Sequence, residues 1–289
     1  MLNHRIMVRA VGSLAVCAGL MIGLGRAQTQ GHSYPWLERY DPAQSIASRL
    51  PAPAGFERMT VSTGSLSDWL RHLPLKPGTP EVFLFNGQKK ANQSAHQAVI
   101  DIDVGNQDLQ QCADAVIRLK AEYDFSRLYF EGIHFQFTSG DVVDFLRWSD
   151  GNKPVVQGNR VAWVKSESID WSYANFRKYL NTIFQYAGSI SLSRELVPVK
   201  DVQAMRIGDV FIKGGSPGHA VIVVDMACDS RTGRRVFMIA QSFMPAQDIH
   251  VLKNLQDTRL SPWYAIDFGS VLATPEWTFN LSELKRFVD

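Results

Sequence analysis

Ile207-Gly208-Asp209-Val210-Phe211-Ile212, a turn through Gly214-Gly215-Ser216-Pro217, then Gly218-His219-Ala220-Val221-Ile222-Val223-Val224-Asp225 is the stretch on which the reading of this chain turns. Two apolar, β-branched runs joined by a glycine-containing turn predict a hairpin. The histidine opens the second strand, directly behind a glycine that lets the backbone approach a cleft closely. A rigid strand on one side and a turn on the other hold the imidazole at a sheet edge, as a general base requires. The next apolar run, Val236–Ala240, ends in Gln241-Ser242, so Gln241 falls where a residue orienting His219 would lie.

Upstream, apolar and small residues recur at Leu109, Cys112, Ala113, Val116, Ile117, Leu119 and Tyr123. That spacing predicts a helix over 108–123, capped by Asn106 or Asp108. It places Cys112 about one turn inside the helix. A helix N-terminus and a nearby imidazolium both favour a thiolate, so Cys112 is the candidate nucleophile beside His219. Two further readings stay open: a packed core cysteine, or a Cys112–Cys228 disulfide, which an exported location permits.

Residues 28–54 hold Pro35, Pro42, Pro51 and Pro53 and read as an irregular lead-in. Ser65-Leu66-Ser67-Asp68 marks a short helix that Pro74 ends. Strands are expected at 81–85, 97–104, 133–137 and 161–164. A short helix is expected at 141–148, a loop at 150–154, and a long amphipathic helix at 173–186 closed by Gly188. Strands at 209–213, 220–226, 236–241 and 249–252 finish the pattern. Mixed elements followed by a sheet indicate an α+β fold, a single domain over 55–289.

The Gly-Asp strand, glycine turn and Gly-His strand resemble the His-bearing hairpin of the CHAP and NlpC-type cell-wall amidases and peptidases. Gln111-Cys112-Ala113 is similar to the Gln-Cys start of the CHAP helix. The resemblance implies a papain-like core: an antiparallel sheet, an N-terminal helix bearing the cysteine, and added helices such as 173–186. It implies a Cys112–His219–Gln241 site acting on an amide, with cell-wall peptide as the substrate class. A wider succession also stands out: Tyr34-Pro35-Trp36-Leu37, Leu73-Pro74-Leu75-Lys76, Ala98–Gly105, Gln110–Arg118, 214–227, Ala240–Gln247 and Ser261-Pro262-Trp263-Tyr264. It looks like an uncharacterised family of exported bacterial proteins known only as a domain of unknown function, which implies export and no particular reaction.

The first residues carry that export signal. Arg5 and Arg9 precede the apolar run Val11–Leu24, and Gly25-Arg26-Ala27 ends it on a small residue. This is the layout of a secretory signal peptide over 1–27, leaving no integral membrane segment after cleavage. An uncleaved anchor, or lipidation at Cys17, is the alternative. Of 30 basic and 28 acidic residues, the three arginines of 1–27 depart with the signal. A near-neutral remainder offers nucleic acid no electrostatic footing.

Asp101 and Asp103 alternate with Ile100 and Ile102 and share one strand face, where they orient substrate amines, bind a cation near the cleft, or simply face solvent. Ser242 and His250 could line the cleft. Without a His/Cys cluster at ligand spacing, and without a nucleotide motif, neither metal nor cofactor is expected. The sequence therefore carries two expectations. One is an exported periplasmic or extracellular thiol hydrolase or transferase, acting on a peptide or peptidoglycan fragment. The other is a non-catalytic exported protein that keeps the cleft for a peptide or glycan.

Overall fold

The computed structural model describes residues 32–288; the signal peptide expected over 1–27 lies outside them. Residues from His32 onward form one compact unit. In chain order it contains α1 (Ile46–Arg49), β1 (Glu57–Arg58), α2 (Leu66–Arg71), β2 (His96–Val99), α3 (Cys112–Ser126), β3 (His134–Gln136), β4 (Val142–Asp144), α4 (Phe145–Ser149), β5 (Asn152–Gln157), β6 (Arg160–Lys165), α5 (Tyr173–Tyr186) and α6 (Ser189–Glu195). There follow β7 (Val197–Pro198), β8 (Val210–Lys213), β9 (His219–Cys228), β10 (Arg235–Gln241), β11 (His250–Leu252), β12 (Tyr264–Ala265), β13 (Val271–Ala273), β14 (Thr278–Asn280) and β15 (Leu284–Arg286).

The fold is α+β. The main sheet runs β2-β11-β10-β9-β8-β15-β7, with β1 joined to β9 and β12 to β10. Its strands pair antiparallel. Strand β9 is the spine, ten residues long and buried from His219 to Ala227. Its β-branched residues suit an extended backbone packed on both sides. Helices α2 and α3 lie against it. Three two-stranded ribbons, β3–β4, β5–β6 and β13–β14, stand apart from the sheet.

Helix α5 forms where its periodicity places it. Ser172 caps it by accepting from Asn175 N at 3.2 Å, and Phe176, Tyr179, Leu180, Ile183 and Phe184 are buried along one face. Gly188 does more than close this helix, because it is also the N-cap of α6. Elsewhere tertiary pairing overrides local pattern. Residues 81–85 make only isolated bridges, Phe83 with Lys89 and Leu84 with Gln247. The 141–148 helix begins as strand β4, held by its pairing with β3. The 150–154 loop is strand β5, zipped to β6.

The lead-in holds two short helical turns, Pro42–Gln44 and Ile46–Arg49. Asp41 and Ser45 cap a 3-10 turn and α1 respectively, and aromatic side chains stitch the segment to the body. Tyr34 Oη donates to Trp69 O at 2.9 Å, Trp36 Nε1 to Asp101 O at 2.6 Å, and Trp263 Nε1 to Pro51 O at 2.9 Å.

Both described cysteines are free, which removes the disulfide reading. The Cys112 sulfur lies against the Ala220 N–H near the start of β9, and Cys228 ends the same strand. Eight residues of strand separate those two points, about 26 Å at roughly 3.3 Å per residue. A disulfide needs α-carbons within about 7 Å.

Candidate functional site

The antiparallel sheet brings three polar side chains to one end of three neighbouring strands. His219 starts β9, Gln241 ends β10, and His250 starts β11. Gln241 pairs in register with His250. His219 pairs in register with Lys213 at the end of β8. The turn that delivers His219 is tight: a side chain at Gly218 would press into Ser189 Oγ and the carbonyl oxygens of Gly215 and Lys213.

His219 Nε2 and Gln241 Oε1 meet at 2.8 Å. Since the amide oxygen only accepts, this contact puts the ring proton on Nε2. His219 Nδ1 is buried without a hydrogen-bond partner, and in that tautomer it is the basic nitrogen. Phe243, Trp277 and Phe279 surround the ring, with centroids 4.9, 5.2 and 5.8 Å away. Burial inside this aromatic box holds the imidazole down to about 4, which the Gln241 contact only partly offsets, with Lys90 adding to the depression.

Cys112 is the first residue of α3, not a turn inside it, because Gln111 is the N-cap. The helix starts late because Asp108 is drawn away. Its Oδ1 accepts from Gln111 Nε2 at 3.0 Å and from Ala246 N at 2.7 Å. Asp114 caps instead, accepting from Gln111 N at 3.1 Å. Cys112 is buried at 4% exposure. Burial, followed by the neighbouring Asp114, pushes its thiol up to about 11. N–H groups of Ala220, Ala113 and Cys112 itself only partly counter this. Thiol and imidazole are therefore both neutral at pH 7.

A second layer escaped sequence reasoning. Gln241 Nε2 donates to Glu276 Oε2 at 2.8 Å. The same carboxylate oxygen takes a short contact from Lys90 Nζ, and Lys90 Nζ lies 3.4 Å from His250 Nε2. Glu276 and Trp277 sit in the turn between β13 and β14. That ribbon carries a carboxylate to the back of Gln241 and an indole to the face of His219. Burial, then Lys90, holds His250 down to about 3. A hollow of about 450 Å³ opens beside this turn, lined by Lys213, Thr274, Glu276, Trp277 and Thr278. The only trace in the sequence is Pro275-Glu276-Trp277, an acid next to an aromatic after a proline, with nothing local to link it to Gln241.

The other expected site residues fall elsewhere or serve the scaffold. Asp103 pairs with the buried Arg118 at 2.7 Å and with Arg177 at 3.4 Å. Asp101 follows strand β2, and its backbone oxygen receives Trp36. Ser242 is buried and lies 3.0 Å from Gln110 O and 2.9 Å from Gln247 O, tying the approach to α3 onto the sheet. Asp209 of the Gly-Asp pair is gripped by Arg286 at 2.6 and 2.8 Å, fastening β15. One cluster departs from the expectation of no metal-ligating group: His32, Asp68 and His72 converge, with ligand atoms within 4.8 Å of one another.

A family model described as domain of unknown function (4846) matches residues 46–286. The chain belongs to this DUF4846 family. The matched span runs from the first residue of α1 to the last of β15, so in this DUF4846 protein the family unit takes in the whole sheet, α3 and the β13–β14 ribbon. No curated protein and no solved structure matches the chain. Among the described residues, no helix is long and apolar enough to cross a membrane.

Proposed function

We propose that this DUF4846 protein is an exported papain-like thiol hydrolase or transferase acting on amide bonds, with peptide from the cell wall as substrate. The observation that carries the reading is the buried His219–Gln241 pair at 2.8 Å, which leaves Nδ1 without a partner at the start of β9. Cys112 opens α3 near the same end of that strand, beside the Ala220 N–H. A thiol at a helix start, an imidazole with one free nitrogen and an amide on the other nitrogen form a nucleophile–base–orienter series.

Because both groups are neutral, activation follows the general-base route. His219 Nδ1 takes the Cys112 proton as sulfur attacks the carbonyl carbon. The carbonyl oxygen gathers negative charge beside N–H groups at the start of α3. The imidazolium returns the proton to the leaving amine, and water or a second amine then releases the acyl group from sulfur. Glu276 and Lys90 act behind Gln241 as positioning residues. The hollow beside Trp277 supplies a surface for the flanking peptide, with Lys213 as a cation at its rim. Export rests on the layout of residues 1–27.

The test is turnover of peptidoglycan fragments by the purified protein, followed by mass spectrometry. Amide cleavage that Cys112→Ala abolishes and Gln241→Ala reduces on the order of a hundredfold supports the reading. Full activity in Cys112→Ala defeats it. One observation favours a second reading: the aromatic enclosure of His219 suits a site that binds without reacting. In that case a peptide or glycan binds equally well to Cys112→Ser and is recovered unchanged.

A further inference from the structure

We propose that His32, Asp68 and His72 form a binding site for a first-row divalent cation, with zinc as its preferred occupant. Asp68 lies on α2, His72 is its C-cap and His32 precedes α1, and none of the three belongs to the thiol site, so the proposal stands or falls separately.

The distances carry the proposal. A zinc ion takes nitrogen and oxygen ligands at about 2.0–2.1 Å, which makes the edge of its tetrahedron about 3.3 Å. His32 Nε2 lies 3.1 Å from Asp68 Oδ2, and His72 Nδ1 lies 3.2 Å from Asp68 Oδ1. All three ligand atoms fall within 4.8 Å of one another. Two imidazoles thus approach the two oxygens of one carboxylate at near-tetrahedral edge lengths. Their rings stack with centroids 4.0 Å apart and planes inclined at 28°, so both come to the same side of Asp68. Two imidazoles with one carboxylate suit zinc better than magnesium or calcium, which prefer oxygen throughout.

The surroundings hold the ligands in place. Gly64 N donates to Asp68 Oδ2 at 2.9 Å, orienting the carboxylate. Tyr40 meets the His32 ring edge-on, with centroids 6.1 Å apart. His72 Nδ1 is also 2.8 Å from the Asp68 backbone oxygen, so without a cation its proton sits on Nδ1. Binding moves that proton to Nε2 and turns the Nδ1 lone pair toward the metal. The side chains are 23%, 12% and 28% exposed for His32, Asp68 and His72. That exposure leaves a solvent-side position for a water as fourth ligand. The ion would clamp the residues before α1 onto α2, joining positions 36 apart in sequence.

The test is calorimetric titration of the chelator-stripped protein with Zn²⁺. One saturable site per chain is expected, weakened at least about tenfold in both His32→Ala and His72→Ala and unchanged in His134→Ala. Cobalt substitution of the wild type should give the intense visible absorption of a four-coordinate site, lost in Asp68→Asn. The cobalt signal of the unaltered protein remains informative if an alanine variant fails to fold. Absence of saturable binding by the wild type overturns the proposal. So does undiminished affinity in the His32→Ala/His72→Ala double variant, which would assign the ion to the remaining histidines.

Discussion

Burial drives His219 down to about 4 and His250 down to about 3, and each shift has a consequence for stability. An unfolded chain protonates these imidazoles below their ordinary 6.5, whereas the folded chain resists until about 4 or lower. The unfolded state therefore binds more protons across that window, and stability present above pH 6.5 is lost as pH falls toward 4. At about 1.4 kcal/mol per pH unit, His219 alone withdraws on the order of 3 kcal/mol. Urea unfolding at pH 7 and pH 4.5 should show the loss, and His219→Gln should lessen it. A midpoint that stays level over that range would contradict the buried, neutral imidazole. The Cys112 thiol shifts the other way, up to about 11. Its alkylation by iodoacetamide should accelerate roughly tenfold per pH unit from pH 7 to 10, read by mass spectrometry of the Cys112 peptide. A rate already at its plateau at pH 7 would mean that a thiolate forms there after all. His219 and Gln241 were legible because the one opens and the other ends an apolar run in the sequence. Cys112 was misplaced by a turn because Asp108, a plausible cap in sequence, is claimed by Ala246 from 138 residues away.

The β13–β14 ribbon is the element through which the site is closed. Its Glu276 serves both the Lys90 ammonium and the Gln241 amide. Glu276→Ala strands a buried cation, at an expected cost of about 3–5 kcal/mol. Glu276→Gln keeps an acceptor and should cost less. Thermal unfolding of the two variants measures the difference. Trp277→Ala should speed modification of His219 by diethyl pyrocarbonate, since the indole lies against its ring; an unchanged rate would place the access route elsewhere. Elements with a strong intrinsic period, such as α5 and β9, could be read directly. The ribbon could not, because its short strands carry little hydrophobic pattern and its role depends on partners 35 and 186 residues away, Gln241 and Lys90.

At the scale of the whole molecule, one carboxylate joins three separate parts. Asp225, in the middle of β9, accepts from Arg58 Nε of β1 at 2.7 Å and from Arg71 Nε of α2 at 2.6 Å. Asp225→Asn leaves two guanidinium groups facing a neutral amide inside the core. The expected cost is about 3–5 kcal/mol, most of which should appear as a lower urea midpoint with an unchanged slope. Arg58→Ala should cost less, because Arg58 is the partly exposed partner. The α+β class was legible from the succession of patterns. The convergence of His32 with His72 was not, since neither sits in a spaced motif and only the aromatic stitching of the lead-in brings them together. Strand β9 also gives the protein a built-in ruler. Its two ends are marked by thiols in opposite environments, one enclosed and one partly open to solvent. A gentle reagent should label Cys228 first, and a second dye can then be forced onto Cys112 at alkaline pH. The resulting donor–acceptor pair spans the central strand of the sheet and would report, in one optical signal, whether the region around the enclosed thiol opens when a candidate ligand is added.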